Sequence, residues 1–418
     1  MMSDFAQDWA LPRQSVIREI CAEVRTRLAT VPDRTSMSED RLRDAVETQV
    51  SAILSLPAWA DARSDGRLRD AVLNDLLGFG PLQDLLSDRT VSEIMVNGAS
   101  TIFVESGGML RRTARAFESD DQLLAVVDRM LHSSGRRVDQ ASPMVDARLP
   151  DGSRLNVILP PLSVDGPSVT IRKFLTGDLT VDHLVDRGSL SHEAAEFLKG
   201  AVATKCNILV SGGTGTGKTT ILNILSSFIG RTERVVTIED AVELTLAMPN
   251  LVRLETRPPN TEGAGEVDIR DLVRNSLRMR PDRIVVGEVR GGETIDMLQA
   301  MNTGHEGSLS TVHANSPRDA LRRLETMVLL GGTELPLRAV REQVAAAIDL
   351  VVHLARDARG RRFVSRISEI GAMEGELITM ADLFARELDS GAVDGDLPPL
   401  ASTGLASHRM GRRVGAAR

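Results

Sequence analysis

The sequence predicts an α/β protein built around a parallel β-sheet, and two observations lead to this prediction. Short apolar runs at 207–210 (NILV), 234–239 (RVVTIE) and 283–288 (RIVVGE) alternate with segments of helical periodicity. Such alternation is typical of β–α–β units, in which a helix connects two parallel strands. The second observation is a glycine-rich segment, SGGTGTGKTT (211–220), directly after the first of these runs.

The first 65 residues predict a helical N-terminal extension. The segment QSVIREICAEVRTRL (14–28) carries apolar residues at helical intervals, and a second amphipathic segment follows it. An amphipathic pair of helices needs a surface to cover its apolar side. We therefore expect residues 1–65 to pack on the next domain or on a partner.

Residues 66–175 predict a smaller α+β domain, because short β-like runs alternate there with two helical segments. The strongest signal is a hairpin, in which MVDARL (144–149) and SRLNVIL (153–159) flank the turn residues Pro150-Asp151-Gly152. The other predicted elements are helices at 67–78 and 120–135 and strands at 91–98, 101–106 and 168–174.

The third part, 176–390, contains the alternating strands and helices and the glycine-rich segment. Residues 391–418 are rich in Gly, Ala and Pro and end in basic residues, so we predict a disordered tail there. The division of the chain is therefore an extension, an α+β domain, an α/β domain and a tail.

Composition excludes several classes of function. Aromatic residues make up 3% of the chain and tyrosine is absent, which argues against a surface that stacks nucleic-acid bases. The net charge of −8 argues against the whole molecule binding a polyanion. The two cysteines lie far apart without metal-ligand spacing and fit a reducing compartment. No apolar run reaches 18 residues, and the start lacks the order of a secretion signal, so we expect a cytoplasmic protein that meets a membrane through a partner.

The glycine-rich segment matches the phosphate-binding loop pattern G-x-x-x-x-G-K-[S/T], with Gly212, Gly217, Lys218 and Thr219 at its fixed positions. Glycines let several backbone N–H groups turn toward phosphate oxygens, and the next helix directs its positive dipole end there. Lys218 is expected to bridge the β- and γ-phosphates and the Thr219 hydroxyl to bind Mg²⁺. The other loop residues expected to contact the nucleotide are Gly213, Thr214, Gly215, Thr216 and Thr220.

Acidic residues follow two of the predicted strands. A nucleotide with Mg²⁺ needs a further carboxylate, and hydrolysis needs a group that polarises water. Glu288 ends a buried apolar run, where an acid is unfavourable unless it meets a metal, a water or a base. The alternative interpretation is that Glu288 is an ordinary surface glutamate. TIEDAVEL (237–244) offers Glu239, Asp240 and Glu243, with a helix start capped by Asp240 as the alternative.

Two of the seven histidines, His305 and His313, lie in TGHEGSLSTVHAN (303–315). The Gly, Ser and Thr content of this stretch suits a further phosphate-facing loop, and a hydrogen-bonded structural role is the alternative. No Cys or Glu partner completes a zinc pattern here.

With these residues in view, the chain resembles the secretion ATPase superfamily of type II secretion, type IV pili and type IV secretion, and within it the CpaF-type ATPase of Flp/Tad pilus assembly. The resemblance runs from residue 67 to residue 386, and segments 135–174 and 254–281 are similar to the CpaF branch in particular. At position 292 this chain has Gly, where members of this superfamily usually have Pro. Four motifs carry the resemblance, in order: the phosphate loop (212–220), an Asp box (237–244), an atypical Walker B segment (278–291) and a His box (303–317).

The resemblance implies a homohexameric ring in which an N-terminal domain is hinged to a RecA-like P-loop ATPase domain, with ATP between them. Arg154 and Arg172 occupy the positions of arginines that reach the phosphates in relatives, and Arg136 and Arg137 are weaker candidates. A guanidinium offers fixed, forked donors to phosphate oxygens, which fits that role. The alternative for either residue is a solvated strand position.

The same resemblance assigns the remaining site residues. Glu239 and Glu288 would orient water and hold the metal, together with Thr219, although the sequence does not decide whether Glu239, Glu243 or Glu288 is the base. Lys218 and His313 complete the catalytic set. His305 and His313 would sense the γ-phosphate or the neighbouring subunit.

The function predicted on this basis is a Mg-ATP-hydrolysing motor that powers Flp/Tad pilus assembly, with retraction as a further output. It would act at the inner membrane through a platform protein and without direct nucleic-acid binding. The alternatives are the ATPase of a type II or type IV secretion system, a RecA-like nucleic-acid motor, and a scaffold that binds nucleotide without hydrolysing it. A GTPase is disfavoured because the chain contains no N-K-x-D motif.

Overall fold

A computed structural model describes residues 14–29, 39–59, 66–174, 179–257, 259, 264–332, 334–387 and 397–416. The chain is mixed α/β and divides into two compact units, Met1–Leu175 and Thr176–Arg418. Each unit has its own hydrophobic clusters. None of the helices in the described part of the chain has the length and apolar composition needed to span a bilayer.

The first unit begins with a cluster of three helices, α1 (Gln14–Ala29), α2 (Glu39–Leu54) and α3 (Gly66–Leu76). Their apolar faces meet in a small core of their own, because the residues at helical spacing on each helix are buried together. The fully buried members of this core include Ile20, Val24, Val50, Ile53 and Val72.

The rest of the first unit is a six-stranded antiparallel sheet in the order β3-β2-β1-β6-β5-β4. The predicted hairpin is confirmed, since its two strands pair and Gly152 takes the left-handed backbone (φ 89°) that the turn needs. The edge strand β3 was not predicted. The elements are α4 (Gln83–Ser87), β1 (Val91–Asn97), β2 (Ile102–Ser106), β3 (Met109–Arg112), α5 (Asp120–His132), β4 (Met144–Arg148), β5 (Arg154–Ile158) and β6 (Ser168–Arg172).

The second unit is a nine-stranded sheet in the order β15-β14-β13-β12-β7-β11-β10-β8-β9. The six strands from β12 to β9 in this order pair in parallel, while β13, β14 and β15 extend the sheet by antiparallel pairing. The strands are β7 (Ile208–Gly212), β8 (Val235–Glu239), β9 (Leu251–Glu255), β10 (Arg283–Val286), β11 (Leu309–His313), β12 (Leu350–Arg356), β13 (Arg362–Glu374), β14 (Leu377–Ala385) and β15 (Ala401–Ser402).

Helices cover both faces of the parallel part. Along β7, Leu209 packs into one hydrophobic cluster while Ile208 and Val210 pack into the other, so both faces of the sheet are buried. This burial explains why the parallel strands read as continuous apolar runs. The helices are α6 (Val181–Asp186), α7 (His192–Ala203), α8 (Lys218–Ser227), α9 (Ile269–Ser276), α10 (Glu293–Asn302), α11 (Pro317–Leu330), α12 (Leu337–Ala347) and α13 (His408–Ala416).

The buried side chain of Asn207 joins the amino ends of the central strands. Its amide nitrogen donates to the carbonyls of Ala347 (2.6 Å) and Met301 (3.3 Å), and its amide oxygen accepts from the N–H groups of Gly307 (2.8 Å) and Ser308 (3.1 Å). A single amide therefore ties the starts of β7 and β11 to the ends of α10 and α12.

The prediction of a disordered tail is wrong for residues 397–416, which form β15 and α13. The carboxylate of Glu369 accepts hydrogen bonds from the Ser407 hydroxyl (2.5 Å) and the N–H of Arg409 (2.9 Å) at the start of α13. This cap comes from a strand 38 residues earlier, so the local composition of the tail could not reveal it.

A buried aspartate holds the same helix from a second side. Asp349 is 2% exposed and accepts from Arg413 Nε (2.8 Å) and from the backbone N–H of Asn207 (2.9 Å). Arg409 Nη1 lies 3.5 Å from the other Asp349 oxygen. The C-terminal helix is thus bonded to the amino edge of the parallel sheet.

We predict that Arg413→Ala lowers the free energy of unfolding by about 2 kcal/mol, because a buried carboxylate loses a charged donor. Arg412→Ala is the matched control: Arg412 is exposed on the same helix, and its loss should stay within about 0.5 kcal/mol. Urea unfolding of both variants measures the difference. Equal stabilities would contradict the role assigned to Asp349.

Candidate functional site

The segment with the phosphate-loop pattern connects β7 to α8, and its glycines are required by geometry. A Cβ atom on Gly212 would lie 2.6 Å from Thr216 Oγ1 and 2.8 Å from the carbonyl oxygen of Leu354. Gly217 is the N-cap residue of α8 and has a left-handed backbone with φ 94°. Both positions therefore exclude a side chain, one by space and the other by conformation.

The Lys218 ammonium is held against the loop. Its Nζ donates to the carbonyl oxygens of Gly212 (3.2 Å) and Gly213 (3.0 Å), and Thr216 Oγ1 donates to the Gly213 carbonyl (2.9 Å). Thr219 and Thr220 follow in the first turn of α8, while Thr214 is exposed at the loop. A cation, a helix N-terminus and a glycine-rich backbone together favour binding of an anion.

The strand order brings three further predicted residues to the edge of the sheet where this loop lies. His313 ends β11 and pairs in register with Gly212 on β7. Glu288 follows β10, and Glu239 ends β8. Since neighbouring strands lie about 4.8 Å apart, the strands that carry Glu288 and Glu239 lie roughly 10 and 14 Å from β7.

Glu239 is a buried carboxylate with one unsatisfied oxygen. It is 3% exposed, and its Oε2 accepts from the N–H groups of Glu243 (2.8 Å) and Leu244 (3.0 Å). Its Oε1 has no hydrogen-bond partner among the described residues, and burial raises the pKa of the side chain. A Cβ on Gly287 would lie 3.0 Å from Glu239 Cγ, so this carboxylate packs directly on the end of β10.

Glu288 is held by an arginine that the sequence analysis missed. Arg290 Nη2 lies 2.5 Å from Glu288 Oε2, and Arg290 Nη1 lies 3.3 Å from Asp240. Asp240 therefore belongs to an ion-pair group, and no helix begins in the residues that follow it, which rules out the helix-cap alternative. The Glu288 side chain is 23% exposed, which is unlike a free surface glutamate.

His305 lies away from the phosphate loop. It stands between α10 and β11, at the amino end of the parallel strands, whereas the loop follows the carboxyl end of β7. A five-residue strand spans roughly 16 Å, so the structure does not bring His305 and the loop together. Neither ring nitrogen has a hydrogen-bond partner within the described ranges, and burial lowers the pKa of the ring. A contact of His305 with a neighbouring subunit stays a prediction.

His353 on β12 is a second residue that the sequence analysis missed. Its Nδ1 lies 2.8 Å from the hydroxyl of Ser211, the residue before the loop. The residue is 7% exposed, and burial lowers its pKa to about 4. A neutral imidazole thus links β12 to the end of β7, directly before the loop. An isolated histidine in the apolar run LVVHLA (350–355) was the available signal.

We predict a pH dependence of stability that His353 controls. An imidazole whose pKa is lowered from 6.5 to about 4 on folding favours the folded state above pH 6.5. As the pH falls from 6.5 toward 4, the unfolded chain binds a proton that the folded chain does not bind. The free energy of unfolding therefore falls by up to about 1.4 kcal/mol per pH unit.

His353→Gln retains a polar group at this position but does not titrate. Chemical unfolding of both proteins at several pH values measures the effect. Only the difference between the proteins reports on His353, because other titratable groups, such as Glu239 with its raised pKa, are the same in both. Parallel stability curves for the two proteins would contradict a buried neutral histidine.

In the first unit, Arg154 and Arg172 lie side by side. They are directly paired across β5 and β6, and Arg148 on β4 pairs with Arg154, so three arginines form one row across the sheet. Directly paired residues share a face, and like charges there repel one another. Glu93 on β1 ends the row, with its Oε1 3.9 Å from Arg172 Nε.

Arg136 and Arg137 lie outside this row. They occupy the irregular segment between α5 and β4. The row on β4, β5 and β6 therefore consists of Arg148, Arg154 and Arg172 without them.

By its fold and its site, the chain belongs to the α/β proteins that carry a phosphate-loop pattern at the edge of a parallel sheet. The model of one family, described as type II/IV secretion system protein, matches residues 75–376. The chain belongs to this family.

Similar proteins include a putative conjugal transfer protein and a type IV secretion system protein. The chain is 40% identical over 309 residues to a putative conjugal transfer protein of Mycobacterium tuberculosis, covering 72% of this chain and 87% of that protein. It is 30% identical to the type IV secretion system protein VirB11 of Bartonella quintana, over 66% of this chain and 87% of that protein. The X-ray structure of the Yersinia pseudotuberculosis ATPase DotB shares the fold, with a TM-score of 0.51 and 18% identity over 69% of this chain and 76% of that chain.

Proposed function

We propose that this protein is a Mg-ATP-hydrolysing motor of the type II/IV secretion family. The observation that carries the proposal is the meeting of the phosphate loop, His313, Glu288 and Glu239 at one edge of a parallel sheet. The strand order β12-β7-β11-β10-β8, with the loop after β7, supports assigning a RecA-like ATPase domain to residues 176–390.

The nucleotide would bind through its phosphates. Backbone N–H groups of residues 212–220 and the positive end of α8 would surround the α- and β-phosphates, and Lys218 would leave its carbonyl partners for the β- and γ-phosphates. The exclusion of side chains at Gly212 and Gly217 fits this role, because an approaching phosphate needs an open backbone.

The residues at this edge also fit Mg²⁺, which supplies charge neutralisation for the transferred phosphoryl group. Mg²⁺ is usually held by one or two protein groups, substrate phosphates and waters, and here the Thr219 hydroxyl and Glu288 would be the protein groups. The bond between Glu288 and Arg290 must open for direct contact, or Glu288 acts through water.

Glu239 fits the part of the water-positioning group. Its Oε2 is fixed by two backbone N–H groups, while Oε1 is buried without a partner among the described residues and can accept a hydrogen bond from water. The raised pKa makes it a better proton acceptor than an exposed glutamate once it is ionised. We therefore assign Glu239 as the base, with His313 adjacent to the loop as the sensor of the γ-phosphate.

The arginine row would supply the contact from the first unit. Its mutual repulsion is relieved by a polyanion, and a forked guanidinium matches phosphate oxygens. Contact of Arg154 and Arg172 with the γ-phosphate would make the relation of the two units depend on whether ATP or ADP is bound.

The output would be mechanical work in a homohexameric ring that meets an inner-membrane platform protein from the cytoplasmic side. The names of the relatives favour conjugal transfer or type IV secretion as the setting. Flp/Tad pilus assembly is the finer proposal, supported by the resemblance of segments 135–174 and 254–281 to the CpaF branch.

We predict that Lys218→Ala lowers ATP turnover roughly 100-fold or more, because the transition-state charge loses a fixed cation. The fold should survive, because Lys218 is half-buried at the start of α8 and belongs to neither hydrophobic cluster of the second unit. Phosphate release measures turnover, and circular dichroism checks the fold. Lys199→Ala, on the exposed side of α7, is the control and should retain wild-type turnover.

The same assay separates the alternatives. Normal turnover by the Lys218 variant would disprove the assignment of the loop. Strong stimulation of the wild-type protein by single-stranded DNA would favour a nucleic-acid motor. Stoichiometric nucleotide binding without phosphate release would favour a scaffold.

We further predict that Arg172→Ala lowers the rate constant of ATP hydrolysis at least roughly tenfold while leaving ADP affinity unchanged, because the proposed contact is to the γ-phosphate. Single-turnover hydrolysis and ADP titration measure the two quantities. Arg112→Ala, an exposed position on β3 of the same sheet, is the matched control. An equal loss of ADP affinity and rate would contradict a γ-phosphate contact.

A further inference from the structure

The hairpin between β12 and β13 carries four arginines within residues 356–362 (RDARGRR). Its position is fixed by parallel pairing, since Leu354 on β12 lies opposite Gly212 on β7. The chain that continues beyond Leu354 therefore runs beside the loop 213–217. The sequence analysis gave this hairpin no role.

Two of these arginines contact the loop at its glycines. The position of a Cβ on Gly215 lies 3.4 Å from Arg356 Nη1, and that on Gly217 lies 3.9 Å from Arg362 Cδ. Arg356 and Arg362 also lie directly opposite each other across the hairpin. Both are exposed, so their guanidinium groups can reach a ligand from solvent.

Hydrogen bonds hold the backbone of the hairpin turn. The carboxylate of Asp357 accepts from Arg361 N–H (2.8 Å), Arg361 Nε (2.6 Å) and Arg359 N–H (3.0 Å). The hydroxyl of Ser189 donates to the Arg362 carbonyl (2.8 Å) and anchors the second strand. The acidic residue at the turn thus binds Arg361 and the backbone of the turn.

The charges at this place favour a polyanion. Arg356 and Arg362 bring two positive charges to this hairpin, and Lys218 and the positive end of α8 add further positive charge at the same loop. The phosphate loop pattern surrounds the α- and β-phosphates with backbone N–H groups, and Gly215 and Gly217 belong to that backbone. A cation next to these glycines is therefore next to the phosphates that ADP and ATP share.

We propose that Arg356 and Arg362 bind the α- and β-phosphates of the nucleotide in the same chain. This inference rests on the proposed binding of nucleotide at residues 212–220. It differs from the role given to Arg154 and Arg172, which concerns the γ-phosphate and the other unit.

The test is equilibrium binding of ADP, a non-hydrolysable ATP analogue and adenosine to the full chain. The variants are Arg356→Ala, Arg362→Ala and Arg362→Lys, with Arg359→Ala at the turn as the matched control. Each alanine variant should weaken ADP and the ATP analogue equally, by roughly tenfold, as expected for the loss of a hydrogen bond to a charged group. Arg362→Lys should regain part of the affinity, because it keeps the charge and loses the fork.

Adenosine binding, the control variant and steady-state kinetics test whether the effect is specific to the phosphates. Adenosine binding should be the same in all variants, and Arg359→Ala should match the wild-type protein within twofold. KM for ATP should rise while kcat at saturation holds, since the contact is equal in ground and transition states. Circular dichroism and melting temperature check that each variant folds.

Four results would overturn the inference. If the wild-type protein binds neither nucleotide, the proposed function itself fails. If the wild-type protein binds and the alanine variants bind equally well, the arginines do not contact the nucleotide. A loss confined to the ATP analogue would assign them to the γ-phosphate. A loss of oligomer in gel filtration with unchanged binding would assign the hairpin to a subunit contact.

Discussion

The parallel pairing of β7 with β11 on one side and β12 on the other is the constraint on which the site depends. In this register His313 lies opposite Gly212 from one side and Leu354 from the other. The loop that leaves β7 is therefore flanked by two different sets of residues: histidine and acids follow β11, β10 and β8, whereas arginines follow β12. A shift of either partner strand by one residue would move these side chains to the opposite face of the sheet.

Buried polar groups at the amino edge hold that register. Asn207 bonds to four backbone groups from three other segments, and Asp349 bonds both the backbone of Asn207 and the guanidinium of Arg413. Buried polar atoms are costly when unpaired, so a slipped strand would leave several of them unsatisfied. The C-terminal helix is thereby part of the framework of the sheet, although it lies at the edge opposite the phosphate loop.

The sequence predicted those features that reside in contiguous residues. The strands β7, β8 and β10 are apolar runs, the β4–β5 hairpin has turn residues, and the phosphate-loop pattern lies within ten residues. β11 was missed as a strand because LSTVH is polar. Its Thr311 hydroxyl is satisfied by the carbonyl of Gly287, a bond that only the pairing of distant segments creates.

The functional site likewise depends on contacts between distant segments, which the sequence alone does not reveal. His353 bonds Ser211 on the neighbouring strand, and Arg290 joins Glu288 to Asp240, which follows a different strand. The isolated histidine in LVVHLA did not reveal its partner. His305 shares one motif with His313, yet the intervening strand separates them across the sheet. Two residues that are close in sequence can thus lie far apart when a strand runs between them. Residues that are far apart in sequence can become partners when their strands pair. The helix α13 was missed for the second reason, since its cap is Glu369.

On the proposed function, the two groups of arginines have different consequences for a motor. A ligand shifts a conformational equilibrium only through contacts that differ between the two conformations. Contacts of Arg356 and Arg362 with the α- and β-phosphates persist after hydrolysis, so they retain the nucleotide without reporting its state. Contacts of Arg154 and Arg172 with the γ-phosphate would be lost on hydrolysis and release. The hairpin arginines would then add to the affinity for ATP and for ADP alike.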